Sequence, residues 1–429
     1  MPLHSALLTA RGFEFGFSIK AMNKRIITLG VAAIGVAGVQ AADAGKVWEV
    51  TASLRGFYDD NYTTSPEKLA EESWGIEVSP GINLTIGEGT DTEFSAGYAF
   101  GMRYYEDRGE SDNEDYGHEL GISLNKAFSD TSVLLLSDSL VVAQEPEILN
   151  GGTSRRVEGD NLRNTFAAQY RRVLSGSTGV EIGYGNSIFD YEQEFYSALL
   201  DRSYNEVSLD VFYGMAQTEY YVGYQFSSTD FDGGELQVPG LDFKADARNN
   251  HAHYGYVGAR HQLNKNFIAD VRAGVQNVDY YDFDLMPGLI PEDETSPYVD
   301  ARMEWGYAEG SKLVAGASLA RGATDLQAAD QEITAVYAQL LHKISAKVHG
   351  TLTGRFQDAE INGGRDHVDG KEESLLLLGA SLTYAIADNT WAEVAYNYDE
   401  LDSDVRTVMG GNTRSFERNY VSIGIGTSY

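Results

Sequence analysis

Between Trp74 and Ile86 the chain alternates without a break. Trp74, Ile76, Val78, Pro80, Ile82, Leu84 and Ile86 fall on one side, and Gly75, Glu77, Ser79, Gly81, Asn83 and Thr85 on the other. A period of two over such a run predicts a strand with one apolar and one polar face. The same alternation marks Trp48 to Tyr58, Phe94 to Tyr104, Val180 to Ile188, Val207 to Tyr213, Phe267 to Val275 and Val299 to Tyr307. Near Tyr254 and Ile333 it weakens, and the pattern names no face there.

Two kinds of connection alternate between these runs. Short ones lie at 87–90, 129–131, 175–178, 216–218, 264–266, 308–310, 345–346 and 387–389. Long ones run through 59–72, 106–117, 145–160, 190–203, 229–250, 280–296, 322–331, 357–373 and 399–414. Eight short turns and nine long loops join eighteen strands, with sixteen the next count the pattern allows. A soluble sandwich needs strands of only about 5 to 6 residues. No window after Val39 offers the roughly 18 apolar residues of a spanning helix. A sheet crosses lipid only if it closes and leaves no edge. The expected fold is therefore all-β: a transmembrane antiparallel up-and-down β-barrel, with short turns on one side and long loops on the other.

The N-terminus adds an address. Met22-Asn-Lys-Arg25 is basic, Ile26 to Val39 is apolar and small, and Val39-Gln-Ala41 fits a cleavage site. Residues 1–21 then read as an extended or mis-assigned start, 22–41 as a signal peptide, and 42–429 as a single barrel. Cleavage after Ala41 removes four of the 32 basic and one of the 64 acidic residues, leaving 388 residues at a net charge of −35. That field excludes nucleic acid as a partner. The absence of cysteine excludes disulfides and thiolate metal sites, and the 46 glycines and 27 tyrosines favour strands and turns over helices.

In a barrel of this size the polar face lines a water-filled interior. Its expected charges are the basic Arg55, Arg103, Arg163, Arg171, Arg272, Arg302, Arg355 and Arg418. The acidic ones are Glu77, Glu93, Glu119, Glu181, Glu206, Asp210, Asp270, Asp300, Glu304 and Glu393. Opposed charges across a pore orient polar solutes, and an acidic excess favours cations; the plainer alternative is a solvated wall of mutually paired charges. Trp48, Tyr58, Trp74, Tyr104, Trp305 and Tyr307 sit near strand ends on the apolar face, where aromatic girdles mark the membrane interface.

The stretch Val421 to Tyr429 alternates again, with Val421, Ile423, Ile425 and Tyr429 on the apolar side. It reads as a closing strand and resembles the C-terminal signal recognised by barrel-assembly machinery, with Thr427 departing from the usual apolar residue. The long loops are acid-rich, and divalent cations held there, bridging lipopolysaccharide, are the one cofactor class left open; no calcium-loop motif is present. His251 and His253 share a strand face but find no third ligand in the sequence. No G-x-S-x-G, H-E-x-x-H or phosphate-loop motif occurs, so the chain reads as non-enzymatic, leaving a barrel hydrolase acting on lipid or glycan as an alternative.

Gly56-Phe-Tyr-Asp-Asp-Asn-Tyr62 followed by Ser73-Trp-Gly-Ile-Glu-Val-Ser-Pro-Gly-Ile-Asn-Leu84 resembles the opening of bacterial outer-membrane proteins grouped as Putative β-barrel porins. The resemblance covers about 30 residues and implies an outer-membrane barrel, in some members linked to extracellular polysaccharide, with no catalytic residues to carry over. The expected function is passive diffusion of small hydrophilic solutes or ions, favouring cations. The alternative is a non-conducting barrel serving as adhesin, envelope tether or polysaccharide-export component. Outer-membrane lipids, the assembly machinery and further copies of the chain, commonly a trimer among porins, are the expected partners.

Overall fold

The computed structural model describes residues 47–108, 113–144, 160–232, 235–238, 241–282, 293–364, 368–405 and 414–429. The expected signal peptide and the acidic stretch 109–112 lie outside them.

Strands follow the alternating runs because a pleated backbone sends successive side chains to opposite faces. The first nine are β1 (Trp48–Asp59), β2 (Ser73–Ile86), β3 (Thr92–Tyr105), β4 (Glu114–Ser129), β5 (Ser132–Ala143), β6 (Asn161–Ser175), β7 (Thr178–Tyr191), β8 (Arg202–Met215) and β9 (Thr218–Phe231). A short hairpin, β10 (Glu235–Val238) and β11 (Leu241–Lys244), stands apart in the loop after β9. The wall resumes with β12 (Asn250–Asn264), β13 (Phe267–Tyr280), β14 (Asp293–Ala308), β15 (Ser311–Gly322) and β16 (Asp330–Lys343). It ends with β17 (Val348–Asn362), β18 (Glu372–Ala387), β19 (Thr390–Ser403) and β20 (Phe416–Ser428).

Every wall strand pairs antiparallel with its chain neighbours, and β1 pairs with β20 from Thr51↔Ser428 to Asp59↔Tyr420. The 18-stranded sheet is thus a closed barrel with no free edge. Eight tight turns sit on one side, with left-handed backbone at Gly176 (φ 51°) and Gly310 (φ 70°), a conformation glycine adopts without strain.

The long connections are shorter than the sequence suggests. Residues 114–117, 202–203, 229–231, 293–296, 357–362 and 399–403, expected in loops, belong to strands. They carry Asp, Glu, Asn and Ser, which weaken the apolar alternation, yet backbone pairing with the neighbouring strand continues through them. The barrel therefore stands taller on the loop side than its apolar belt.

On that side the loops turn inward. A seven-residue helix, α1 (Glu194–Leu200), and the second of two 3-10 turns, η2 (Ala245–Arg248; the first, η1, is Glu67–Leu69), pack on the wall through Leu199, Leu200, Ala245 and Ala247, against Tyr191, Phe231, Tyr254, Val278 and Tyr280. Ala328, Val368 and Val405, from three further connections, join Ile361 at the end of β17 in a second apolar cluster.

Candidate lumen lining and mouth

All eighteen expected lumen charges lie on the inward face, as the cross-strand register shows. Arg302, for example, is the partner of Asp270 and Gly316, and Glu119 of Ala99. A single row of cross-strand partners runs Glu219, Arg260, Asp270, Arg302, Gly316, Tyr337, Arg355, Leu377, Asp399 and Arg418, one residue from each strand β9 and β12 to β20. Because the wall strands tilt, such a row climbs from the turn side to the loop side.

Most of these charges meet partners. Arg55 bonds Glu77 at 2.6 Å and Glu393 at 3.2 Å, and Arg103 closes on Glu77 at 2.8 Å. Arg171 joins Glu181 (3.0 Å) and Glu219, while Arg260 reaches Asp270 at 2.5 Å and Glu219 at 3.5 Å. Arg272 stands 3.5 Å from Asp300, and Lys312 stands 3.1 Å from Glu304. Asp210 accepts from the Tyr256 hydroxyl at 2.8 Å, and Glu206 from Gln225 at 3.0 Å. Arg272, Asp300 and Lys312 keep side-chain exposures of 30, 43 and 43% while pointing inward, so solvent reaches the lumen at this level. Glu93, Arg163, Arg302, Arg355 and Glu119 are half-buried on the same wall.

Inward aromatic rings lie along the wall instead of across the lumen. Phe57, Phe212, Tyr221, Tyr256, Tyr337 and Trp391 are the direct cross-strand partners of Gly75, Gly179, Gly258, Gly223, Gly316 and Gly426. A Cβ at any of these glycines would collide with the facing ring. Glycine therefore creates the flat seat on which each ring rests.

The seam between first and last strands gives the Tyr-Asp-Asp-Asn stretch a physical role. Asp59, fully buried, takes Arg418 Nε at 3.0 Å and its Nη2 at 2.5 Å. Asp60 accepts from the Asn419 backbone N–H at 2.6 Å and side-chain amide at 2.8 Å. Asn61 donates to the carbonyls of Ser65 (2.7 Å) and Glu417 (2.9 Å).

At the mouth, Arg248 is 1% exposed. Its guanidinium donates to the carbonyls of Leu199 on α1 and of Thr324 (3.0 Å) in the connection after β15, and stacks 4.0 Å over Phe231. Burial pushes this group down to about 9, so it stays charged at neutral pH. Asp201, capping α1, accepts from the Tyr191 N–H at 2.8 Å and the Ser197 hydroxyl at 2.6 Å; burial raises its carboxyl above the usual range. Arg414 ties the last connection to the same cluster through Asp325 (2.8 Å) and Glu373 (3.2 Å).

Outside, Trp48, Trp74 and Trp305 are 58, 61 and 45% exposed among outward Val, Leu and Ile, a band far larger than water tolerates on a monomer. Trp48, Trp305 and Tyr307 mark its turn side, and Tyr58, Trp74 and Tyr104 its loop side, where the Tyr58 and Trp74 rings pack 4.8 Å apart, tilted by 45°. Val421, Ile423, Ile425 and Tyr429 carry the band across the seam. His251 and His253 face outward among Phe226, Tyr224 and Tyr281, part of the aromatic rim. Among the described residues no three His, Asp or Glu converge as metal ligands.

Several inward residues were not visible in the sequence. Glu219, Arg260, Tyr254 and Tyr256 lie on β9 and β12, where tyrosines face inward while His251, His253 and Gly255 face outward, which inverts the usual contrast. Near Ile333 the contrast fails because Ile333, Ala335 and Tyr337 face inward opposite Val336 and Leu340. Arg248 lies in the long connection 229–250, which carries no periodic signal, and only packing reveals it.

The family model described as Putative beta-barrel porin 2 matches residues 187–428, more than half of the chain. The chain belongs to that family. This porin's matched span starts on β7 and ends on β20; the segments that carry the sequence resemblance lie before it and meet it at the seam through Asp59–Arg418. Family membership places the porin in the bacterial outer membrane. No curated protein sequence matches it. Among solved structures it is similar to the outer membrane protein opdK from Pseudomonas aeruginosa, at 9% identity and a TM-score of 0.45, covering 89% of this chain and 99% of that one. It is also similar to a BenF-like porin from Pseudomonas fluorescens Pf-5, at 12% identity and TM-score 0.43, with the same coverage. OccAB3 from Acinetobacter baumannii matches at 10% and 0.42, again over 89 and 99%.

Proposed function

We propose that the porin is a passive channel for small hydrophilic solutes and ions, favouring cations, with a mouth narrowed by its own loops. The carrying observation is the charged inward face of a closed barrel, with Arg272, Asp300 and Lys312 open to solvent and an apolar band outside. Charged side chains along a wetted wall orient polar solutes, and the surplus of acids over bases in the chain concentrates cations. The reading assigns the barrel no reaction. Purified, folded porin reconstituted in a planar bilayer should carry a steady current in KCl; silence would sink the open-channel reading.

One observation favours a second reading. The apolar cluster around α1 and η2 fills part of the mouth, as a barrel closed at rest and serving as an envelope tether or export component would require. Conductance that appears only after Arg248→Ala would select it.

A further inference from the structure

Two of the inward arginines differ from most of the others. Arg55, Arg103, Arg171, Arg260, Arg272 and Arg418 each have a carboxylate within ion-pair distance. Arg302 and Arg355 have none among the described residues. Among the described residues Arg355 donates only to the neutral Gln357 Oε1, at 3.1 Å, and its buried Nε finds no partner there. In a chain with 64 acidic and 32 basic residues, an inward arginine without an acid is the exception.

These two lie in one row, separated by Gly316 and Tyr337. A Cβ at Gly316 would collide with both Cζ and the hydroxyl of Tyr337, so the ring lies across Gly316 with its hydroxyl turned toward the strand of Arg302. That hydroxyl has no hydrogen-bond partner among the described residues. Asp300, on the same face two residues before Arg302, is engaged by Arg272. Three interstrand spacings of about 4.8 Å separate β14 from β17, leaving a strip of wall that presents two guanidiniums and a phenol, all donors, half-buried and facing the lumen.

We propose that Arg302, Tyr337 and Arg355 form a binding station for small carboxylate anions on the lumen wall. Guanidinium forks match a planar carboxylate with two parallel N–H bonds, the phenol supplies a further donor, and partial burial strengthens each bond. In an otherwise acidic interior, such a station lets organic anions through that the surrounding field repels. It rests on the channel reading only for how the solute arrives.

Binding is therefore tested on the folded barrel in detergent, by calorimetric titration with succinate, whether or not current flows. Wild-type protein should bind saturably, and the Arg302→Gln/Arg355→Gln double variant at least tenfold more weakly. Lys265→Gln/Lys347→Gln, which removes two exposed charges in the short turns away from the station, should stay within twofold. Tyr337→Phe keeps the ring on Gly316 and should weaken binding several-fold, which guards against a double variant that fails to fold. No saturable binding by wild type, equal binding by wild type and the arginine double variant, or inorganic phosphate binding as tightly as succinate would each overturn the assignment.

Discussion

At the residue scale, Arg248 shows how one side chain organises a mouth. Three otherwise separate pieces, α1, η2 and the connection after β15, meet at its guanidinium through the Leu199 and Thr324 carbonyls. Hydrogen bonds to a charged group contribute about 1.5–3 kcal/mol each. Arg248→Ala should therefore free the inward loops while leaving the wall intact, read as a larger and noisier single-channel conductance with unchanged strand content by circular dichroism. The glycine seats work at the same scale. At Gly223 a valine would push the Tyr256 ring off the wall into the lumen, so Gly223→Val should lower conductance in proportion to the cross-section lost.

At the element scale, the seam of β1 and β20 and the α1 connection respond to different stresses. Asp59 and Arg418 form a buried pair, and removing one partner of such a pair costs about 3–5 kcal/mol. Arg418→Gln should lower the temperature at which the folded barrel loses its compact mobility on an unheated gel, more than a change in any exposed pair such as Lys343–Glu309. The α1 connection senses pH through Asp201, whose carboxyl burial raises above its ordinary value of 3.8. A raised acid contributes stability that is fully present below that ordinary value and is lost as pH rises through the folded one. Acidification from neutral pH should therefore tighten α1 in the mouth and reduce current, and Asp201→Asn should reduce current at neutral pH and flatten its pH dependence.

For the whole molecule, the formal net charge of −32 sets a field that no single pair controls. Screening shortens its reach from about 10 Å at 0.1 M salt to about 3 Å at 1 M. Reversal potentials across a KCl gradient should show a clear preference for potassium at 0.1 M that fades toward 1 M. A preference unchanged by salt would place selectivity in local contacts instead. Closure itself is a property of this scale, since 18 strands leave no unpaired edge for lipid to meet.

The alternating residues determined the strand count, the eight turns and the face of every predicted lumen charge, because a strand's period of two is written directly into neighbouring positions. The run from Trp74 to Ile86 is the plainest case, and Arg302 or Glu77 needed only its parity to be placed. Parity says nothing about which charges meet. Whether Arg55 finds Glu77, or Arg355 finds no acid, depends on register between strands that can be hundreds of residues apart, as β1 and β20 are. The inward fold of the loops around Arg248 was equally hidden, since a short apolar helix and a lone arginine in a polar stretch carry no periodic signal. Only the closed barrel, by bringing Leu199, Arg248 and Thr324 to one place, decided what narrows its mouth.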